Sequence, residues 1–135
     1  MMQEYYSRKV FWKIIYVVWP PFLRLIEFLK IHNARQKFLL GHLAPNLSKE
    51  NLTKILLEND FRFDIIALID PGQILGMRKL ESPLWQYHIR LFNDGEIRGH
   101  YEYTPEAKPI KHSFETGIEN RAEYFKKILG DSLVE

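Results

Sequence analysis

Residues 85–103 read WQYHIRLFNDGEIRGHYEY, and this stretch decides the fold. Two runs in which apolar and polar residues alternate flank the sequence Asn93-Asp94-Gly95, a composition typical of a hairpin turn. Side chains of a strand point alternately to its two faces, so each run presents one apolar and one polar face. The sequence therefore predicts two antiparallel strands, at 85–92 and 96–103.

The length of the turn sets the register of this hairpin. A two-residue loop would pair Phe92 with Ile97 and mix polar and apolar residues on each face. A three-residue loop with Gly95 in the left-handed conformation pairs Phe92 with Glu96, and burial favours it because the faces then separate. One face would carry the residues Trp85, Tyr87, Ile89, Leu91, Ile97, Gly99, Tyr101 and Tyr103. The other would carry Gln86, His88, Arg90, Phe92, Glu96, Arg98, His100 and Glu102.

The polar face is the first candidate binding site. In the favoured register two histidines and two arginines lie opposite each other, and like charges in that position cost free energy. Because the arginine fork fits phosphate and carboxylate groups, we expect an anionic ligand there. The binding residues would be His88, Arg90, Arg98, His100 and Glu102. The alternative is a solvated face on which two glutamates neutralise the arginines.

Catalysis by the two histidines is a second hypothesis for the same face. His88 and His100 would act as acid and base in a metal-independent phosphoesterase or nuclease. Some enzymes of that kind carry a small hydroxyl residue two positions after each histidine, where this chain has Arg90 and Glu102. We therefore favour a non-enzymatic binding or interaction domain and keep the enzyme as its alternative.

Metal and cofactor sites have weak sequence signals. His88, His100 and Glu102, with His42 or His112, could in principle ligate zinc. The chain has no HExxH motif and no closely spaced histidines, and it has no cysteine. Its glycines form neither a dinucleotide fingerprint nor a phosphate-binding loop. We expect no metal and no cofactor.

The most apolar part of the chain is the segment 10–31. Its longest uncharged run covers residues 14–23, about half of the roughly 20 residues that a membrane-spanning helix needs. Pro20 and Pro21 interrupt it, which predicts a helix at 4–18, a corner, and a second helix at 21–33. We expect no transmembrane span and no signal peptide. The predicted division is an N-terminal helical arm at 1–34 and a body at 35–135, together one domain.

The arm is also basic. Residues 1–40 contain seven Lys/Arg and two Asp/Glu, whereas residues 41–135 contain twelve and fifteen. Its apolar helices need a cover, which would be the body, a protein partner or second copy bound through 10–31, or a membrane surface. The docking residues would be Trp12, Tyr16, Trp19 and Phe22. A nucleic-acid partner has weaker support because the body is acidic, and we expect a cytoplasmic protein, with a peripheral membrane location as the alternative.

The remainder of the body predicts an α+β fold. Residues 37–43 resemble a short strand, and Ser48 caps a helix that ends near Asn59. A buried strand is predicted at 64–69, a type II turn at 70–73 and a further strand at 74–80. A helix at 117–129 follows a loop. We expect a mostly antiparallel sheet of four to five strands covered by helices.

Overall fold

A computed structural model describes residues 17, 18, 21, 38–65, 67, 69–108, 111–112 and 117–135. These residues form a six-stranded antiparallel sheet and two helices, which confirms the α+β class. The elements are β1 (Leu39–Leu43), α1 (Lys49–Glu58), β2 (Arg62–Phe63), β3 (Gln73–Leu80), β4 (Trp85–Phe92), β5 (Glu96–Tyr103), α2 (Ala122–Leu129) and β6 (Leu133–Val134). The strand order is β2-β3-β4-β5-β1-β6. The sheet exceeds the expected four to five strands because the two-residue strands β2 and β6 form its edges.

The hairpin of β4 and β5 has the predicted register. Tyr87 lies opposite Tyr101, and His88 lies opposite His100. Gly95 has a φ of 90°, and its N–H donates to the Phe92 carbonyl at 2.9 Å. The three-residue turn is therefore confirmed, because a two-residue turn would have shifted every pair by one position.

The apolar face of the sheet packs against both helices. Leu52 and Leu56 of α1 and Phe125 of α2 have no measurable exposure. Gly99 of β5 makes room for Phe125, since a Cβ at Gly99 would lie 2.9 Å from the Phe125 Cζ. The core holds Leu40, Leu52, Leu56, Phe61, Leu75, Met77, Tyr87, Ile89, Leu91, Ile97, Tyr101, Phe125 and Leu129.

Local chemistry fixes the start of α1 and the turn before β3. The Ser48 hydroxyl accepts from the Asn51 N–H at 3.2 Å, and the Asn51 side chain accepts from the Ser48 N–H at 2.8 Å. This capping box satisfies two backbone donors that the first turn leaves open. In the turn, Gly72 has a φ of 83° and Gln73 donates to the Asp70 carbonyl. Both predictions are confirmed.

The buried strand predicted at 64–69 is wrong. Ile65 and Ile69 are 67% and 71% exposed, and β2 ends at Phe63. The Asp64 carboxylate accepts from the Ala67 N–H at 3.0 Å. Such a local side-chain bond competes with strand pairing, which is why the apolar run does not continue β2.

The C-terminal helix is shorter than predicted. It begins at Ala122 rather than at 117, because Glu119 is bound to β5. Glu119 exchanges two backbone hydrogen bonds with Tyr101, at 2.8 and 2.9 Å. Gly130, with a φ of 51°, ends the helix at the predicted place.

The N-terminal arm lies mostly outside the described residues. Residues 17, 18 and 21 are helical, and Val17 and Val18 are largely exposed. The predicted docking residues Trp12, Tyr16, Trp19 and Phe22 all fall outside the described part. In the ranges that the structure covers, no helix has both the length and the apolar content to cross a membrane.

Candidate functional site

The polar face of the hairpin is buried. His88, Arg90, His100 and Glu102 are 2–6% exposed. The solvated face considered as an alternative is therefore wrong for these four residues, whereas Arg98 is partly exposed at the edge of the face. Burial of so many ionisable groups requires that each be compensated by a partner.

The register of β3 adds a further row to this face. Arg78 lies opposite His88, which in turn lies opposite His100. The next row brings Gln86 opposite Glu102. Because residues opposite each other share a face, three strands supply one continuous polar surface.

Each arginine of this surface is paired with a carboxylate. The Arg78 Nη1 lies 2.5 Å from Glu106 Oε1, and the Arg90 Nη1 lies 2.5 Å from Asp70 Oδ2. At the edge, the Arg98 Nη2 lies 3.0 Å from the Oε2 of Glu96, two residues earlier on the same strand. Arg90 thus serves a buried ion pair in this structure.

Three imidazoles converge on Glu102. The His100 Nε2 lies 3.0 Å from Glu102 Oε2, and the His112 Nε2 lies 3.0 Å from Oε1. The His88 Nδ1 lies 3.6 Å from the same Oε1, and the Gln86 amide donates to it at 3.0 Å. The other nitrogen of His88, Nε2, lies 3.1 Å from Asp64 Oδ2. We call His88, His100, His112, Glu102 and Asp64 the histidine cluster.

The members of the cluster shift one another's protonation. Burial alone would raise the pKa of Glu102, but His112 and His100 hold that pKa well below the ordinary 4.5. Burial alone would lower the pKa of His112, but the Glu102 carboxylate raises it above 6.5. For His100, burial prevails and lowers the pKa. Near neutral pH, Glu102 is ionised and His100 is neutral, so an imidazole lone pair is available.

His100 carries a buried nitrogen without a hydrogen bond. Within the described residues, the His100 Nδ1 has no hydrogen-bond partner, and its side chain is 5% exposed. An unpaired buried polar atom costs about 1–3 kcal/mol, so native proteins keep few of them without a role.

The cluster is poorly arranged for acid–base catalysis on a phosphate. The rings of His88 and His100 are edge to face with centroids 5.4 Å apart, and Glu102 contacts both. Acid and base must flank the reacting group within hydrogen-bond reach. A carboxylate already stands at that position, and it repels a phosphate.

The sequence found the centre of the site but not its surroundings. It placed His88, Arg90, His100 and Glu102 together, whereas His42 is exposed on β1 and makes none of these contacts. It missed a set of buried polar partners: Asp64, Asp70, Arg78, Gln86 as a partner of Glu102, and Glu106. Only Arg78 could have been found from the sequence, because the alternation of β3, once aligned with β4, places it opposite His88 on the polar face.

No protein-family model, no curated protein and no solved structure matches this chain. The function must therefore be argued from the chemistry of the site, because a fold class alone does not determine function.

Proposed function

We propose that the protein is a non-enzymatic binding domain that encloses a small charged ligand at the polar face of β3, β4 and β5. The observation that carries this proposal is the burial of the histidine cluster beside two arginine–carboxylate pairs. An apolar face would be less costly than this one. Groups of perturbed ionisable residues concentrate at functional sites, which supports a role in binding.

The size of the ligand follows from the exposure of the site. With His88, Arg90 and His100 only 2–6% exposed, no strand of nucleic acid and no protein surface could reach them. An ion or a molecule of a few atoms could occupy the cluster after small side-chain movements. The proposal therefore favours a small ligand over the nucleic-acid partner considered from the sequence.

The anion predicted from the sequence would occupy this face with His88, Arg90 and His100, and with Arg98 at its edge. It would have to replace the Asp70 carboxylate beside Arg90 or the Glu102 carboxylate beside His112. Inorganic phosphate and malonate are suitable probes because they represent the two anion classes that arginine recognises.

Thermal unfolding with increasing ligand tests the binding function. A ligand that binds the native state alone stabilises it by about 2.7 kcal/mol at 100 times its Kd, so Tm should rise with concentration. The rise should be reduced in His100→Gln, which removes a cluster member, and retained in the matched surface variant Arg62→Ala. Salts also stabilise proteins non-specifically, and that effect should be equal in both variants.

The proposal fails under one clear outcome. If phosphate, malonate and divalent cations all shift the Tm of wild type and His100→Gln equally, the cluster binds no small charged ligand.

A further inference from the structure

We propose that the ligand is a divalent transition-metal ion of the zinc type, bound by His88, His100 and Glu102. The inference rests on the proposed binding function and names the ligand class of that site. It departs from the expectation of no metal, which was drawn from the spacing of histidines along the sequence.

The donors of the cluster lie close enough together to converge on one ion. Ligand atoms about 2.0–2.2 Å from a zinc ion lie about 3.3–3.6 Å from one another at tetrahedral angles. The Glu102 Oε2 lies 3.0 Å from the His100 Nε2, and the Glu102 Oε1 lies 3.6 Å from the His88 Nδ1. One potential ligand atom from each of His88, His100 and Glu102 lies within 4.8 Å of the other two. Small side-chain adjustments would bring these donors onto one ion.

The charge balance favours a cation over an anion. Among the described residues, the buried face holds four carboxylates and two arginines whose side chains are at most 8% exposed: Asp64, Asp70, Glu102, Glu106, Arg78 and Arg90. With every imidazole neutral these groups sum to two negative charges, and with His112 protonated they sum to one. A dication would reduce the net negative charge of these described groups, whereas an anion would add to it.

The donor types select the metal. Neutral imidazole nitrogens suit Zn²⁺, Co²⁺, Ni²⁺ and Cu²⁺, whereas Mg²⁺ and Ca²⁺ prefer oxygen ligands. A neutral His100 can offer Nε2 to a metal with its proton on Nδ1, which has no hydrogen-bond partner among the described residues. The cluster therefore predicts binding of a zinc-type ion and no comparable binding of Mg²⁺.

Polar groups behind the donor residues are placed as in known metal sites. His88 directs Nδ1 towards Glu102 and Nε2 towards Asp64, so a carboxylate orients the ring from behind. Metal-binding histidines commonly donate their second N–H to a carboxylate, and Asp64 lies 3.1 Å from the His88 Nε2, although the present geometry forms no hydrogen bond. The Gln86 amide similarly holds Glu102.

The first experiment uses the full-length protein without a histidine tag. The protein is stripped with EDTA, dialysed against Zn²⁺ or Mg²⁺, and analysed for metal per chain. We expect about one tightly held zinc per chain and no retained magnesium. Co²⁺ should give the intense visible absorption of a tetrahedral nitrogen–oxygen site, and Zn²⁺ should raise Tm. A wild-type protein that retains no zinc and gives no such cobalt spectrum would overturn the inference.

The second experiment assigns the site. We expect His100→Ala and Glu102→Gln to weaken zinc binding at least tenfold. Asp64→Asn, which removes the charge behind His88 and keeps an oxygen for the Ala67 N–H, should weaken zinc binding about 10–100-fold. The matched control His42→Ala changes an exposed histidine and should bind as wild type. Equal zinc affinity in folded His100→Ala and in His42→Ala would refute the assignment. If the buried variants do not fold, the wild-type stoichiometry and cobalt spectrum decide alone.

The two proposals fail separately. If zinc does not bind while phosphate or malonate stabilises the wild type through His100, the metal inference is wrong and the binding function stands. If neither cation nor anion acts through the cluster, both are wrong.

Discussion

Glu102 organises the buried face at the residue scale. A single carboxylate contacts His100, His112 and the Gln86 amide at 3.0 Å each. Removing one partner of such a group leaves the others facing a buried, uncompensated charge or dipole. The contribution of the buried face to the free energy of unfolding is therefore shared among several residues. The effects of single substitutions on that free energy should not be additive.

The pH dependence of stability should reveal the His112–Glu102 contact. A histidine whose pKa is raised by folding stabilises the native state below its unfolded pKa, and this contribution is lost as pH rises through the folded pKa. The pKa of His112 is raised above 6.5, against burial, by Glu102 and also by Asp64 and Glu106. We expect His112→Gln to have a lower free energy of unfolding than wild type, and this difference should be larger near pH 6 than near pH 9.

Urea unfolding with EDTA present would measure this difference on the metal-free protein. Folding lowers the pKa of Glu102, so its contribution to the free energy of unfolding is fully present above pH 4.5, its ordinary pKa. That contribution is therefore the same near pH 6 and near pH 9. An equal or larger difference near pH 9 would show that His112 does not gain its proton affinity from Glu102.

At the scale of elements, Gly99 sets how closely α2 approaches β5. A Cβ at this position would lie 2.9 Å from Phe125 Cζ and 3.0 Å from Leu40 Cδ1, both in the core. Real Cβ atoms do not approach so closely, and neither neighbour has free space to move into. The glycine therefore acts through packing rather than through its backbone freedom.

We expect Gly99→Ala to lower the free energy of unfolding by about 1–3 kcal/mol through overpacking. Gly76→Ala in β3 is the matched control, because its Cβ would meet only the end of the flexible Gln73 side chain. Urea unfolding of both variants is the measurement. Equal losses in the two would indicate that the approach of α2 does not depend on Gly99.

Sequence predicted elements well where their determinants are local. The hairpin register followed from its turn and its alternation, and the start of α1 followed from Ser48. The segment 64–69 was mispredicted because an apolar run becomes a strand only where it has a partner to pair with. For the site, register brought His88, His100 and Glu102 together. The positions of Asp64, Glu106 and His112 depend on the paths of loops, which periodicity does not encode.

On the scale of the whole molecule, charge is divided between the basic arm and the acidic remainder. The buried face shows that the acidic part contains enclosed charges of both signs, each arginine having a carboxylate partner. The net charge of the body therefore says little about its binding chemistry. The arm remains a candidate for docking on a partner chain or a membrane surface, because its apolar residues are interleaved with lysine and arginine.

Vesicle binding tests the membrane alternative on the full chain. If the arm docks at a lipid surface, the protein should co-sediment with anionic vesicles, and less so at high salt because charge is screened. The double variant Trp19→Ala/Phe22→Ala should lose this binding. Phe63→Ala, which removes an exposed aromatic residue of β2, should retain it. Identical binding by both variants would exclude the arm as the docking segment.

The position of β1 between β5 and β6 has a consequence for synthesis on the ribosome. Strands β2, β3 and β4 each pair with the next strand made, so the four strands β2 to β5 can assemble in the order of translation. β1 is made before them, yet Leu39 pairs with Arg98. At about 5–20 residues per second, β1 waits several seconds for that partner. During this interval the backbone N–H and C=O groups of β1 are unpaired. They are then the part of the nascent chain most open to pairing with a wrong strand or to binding by chaperones.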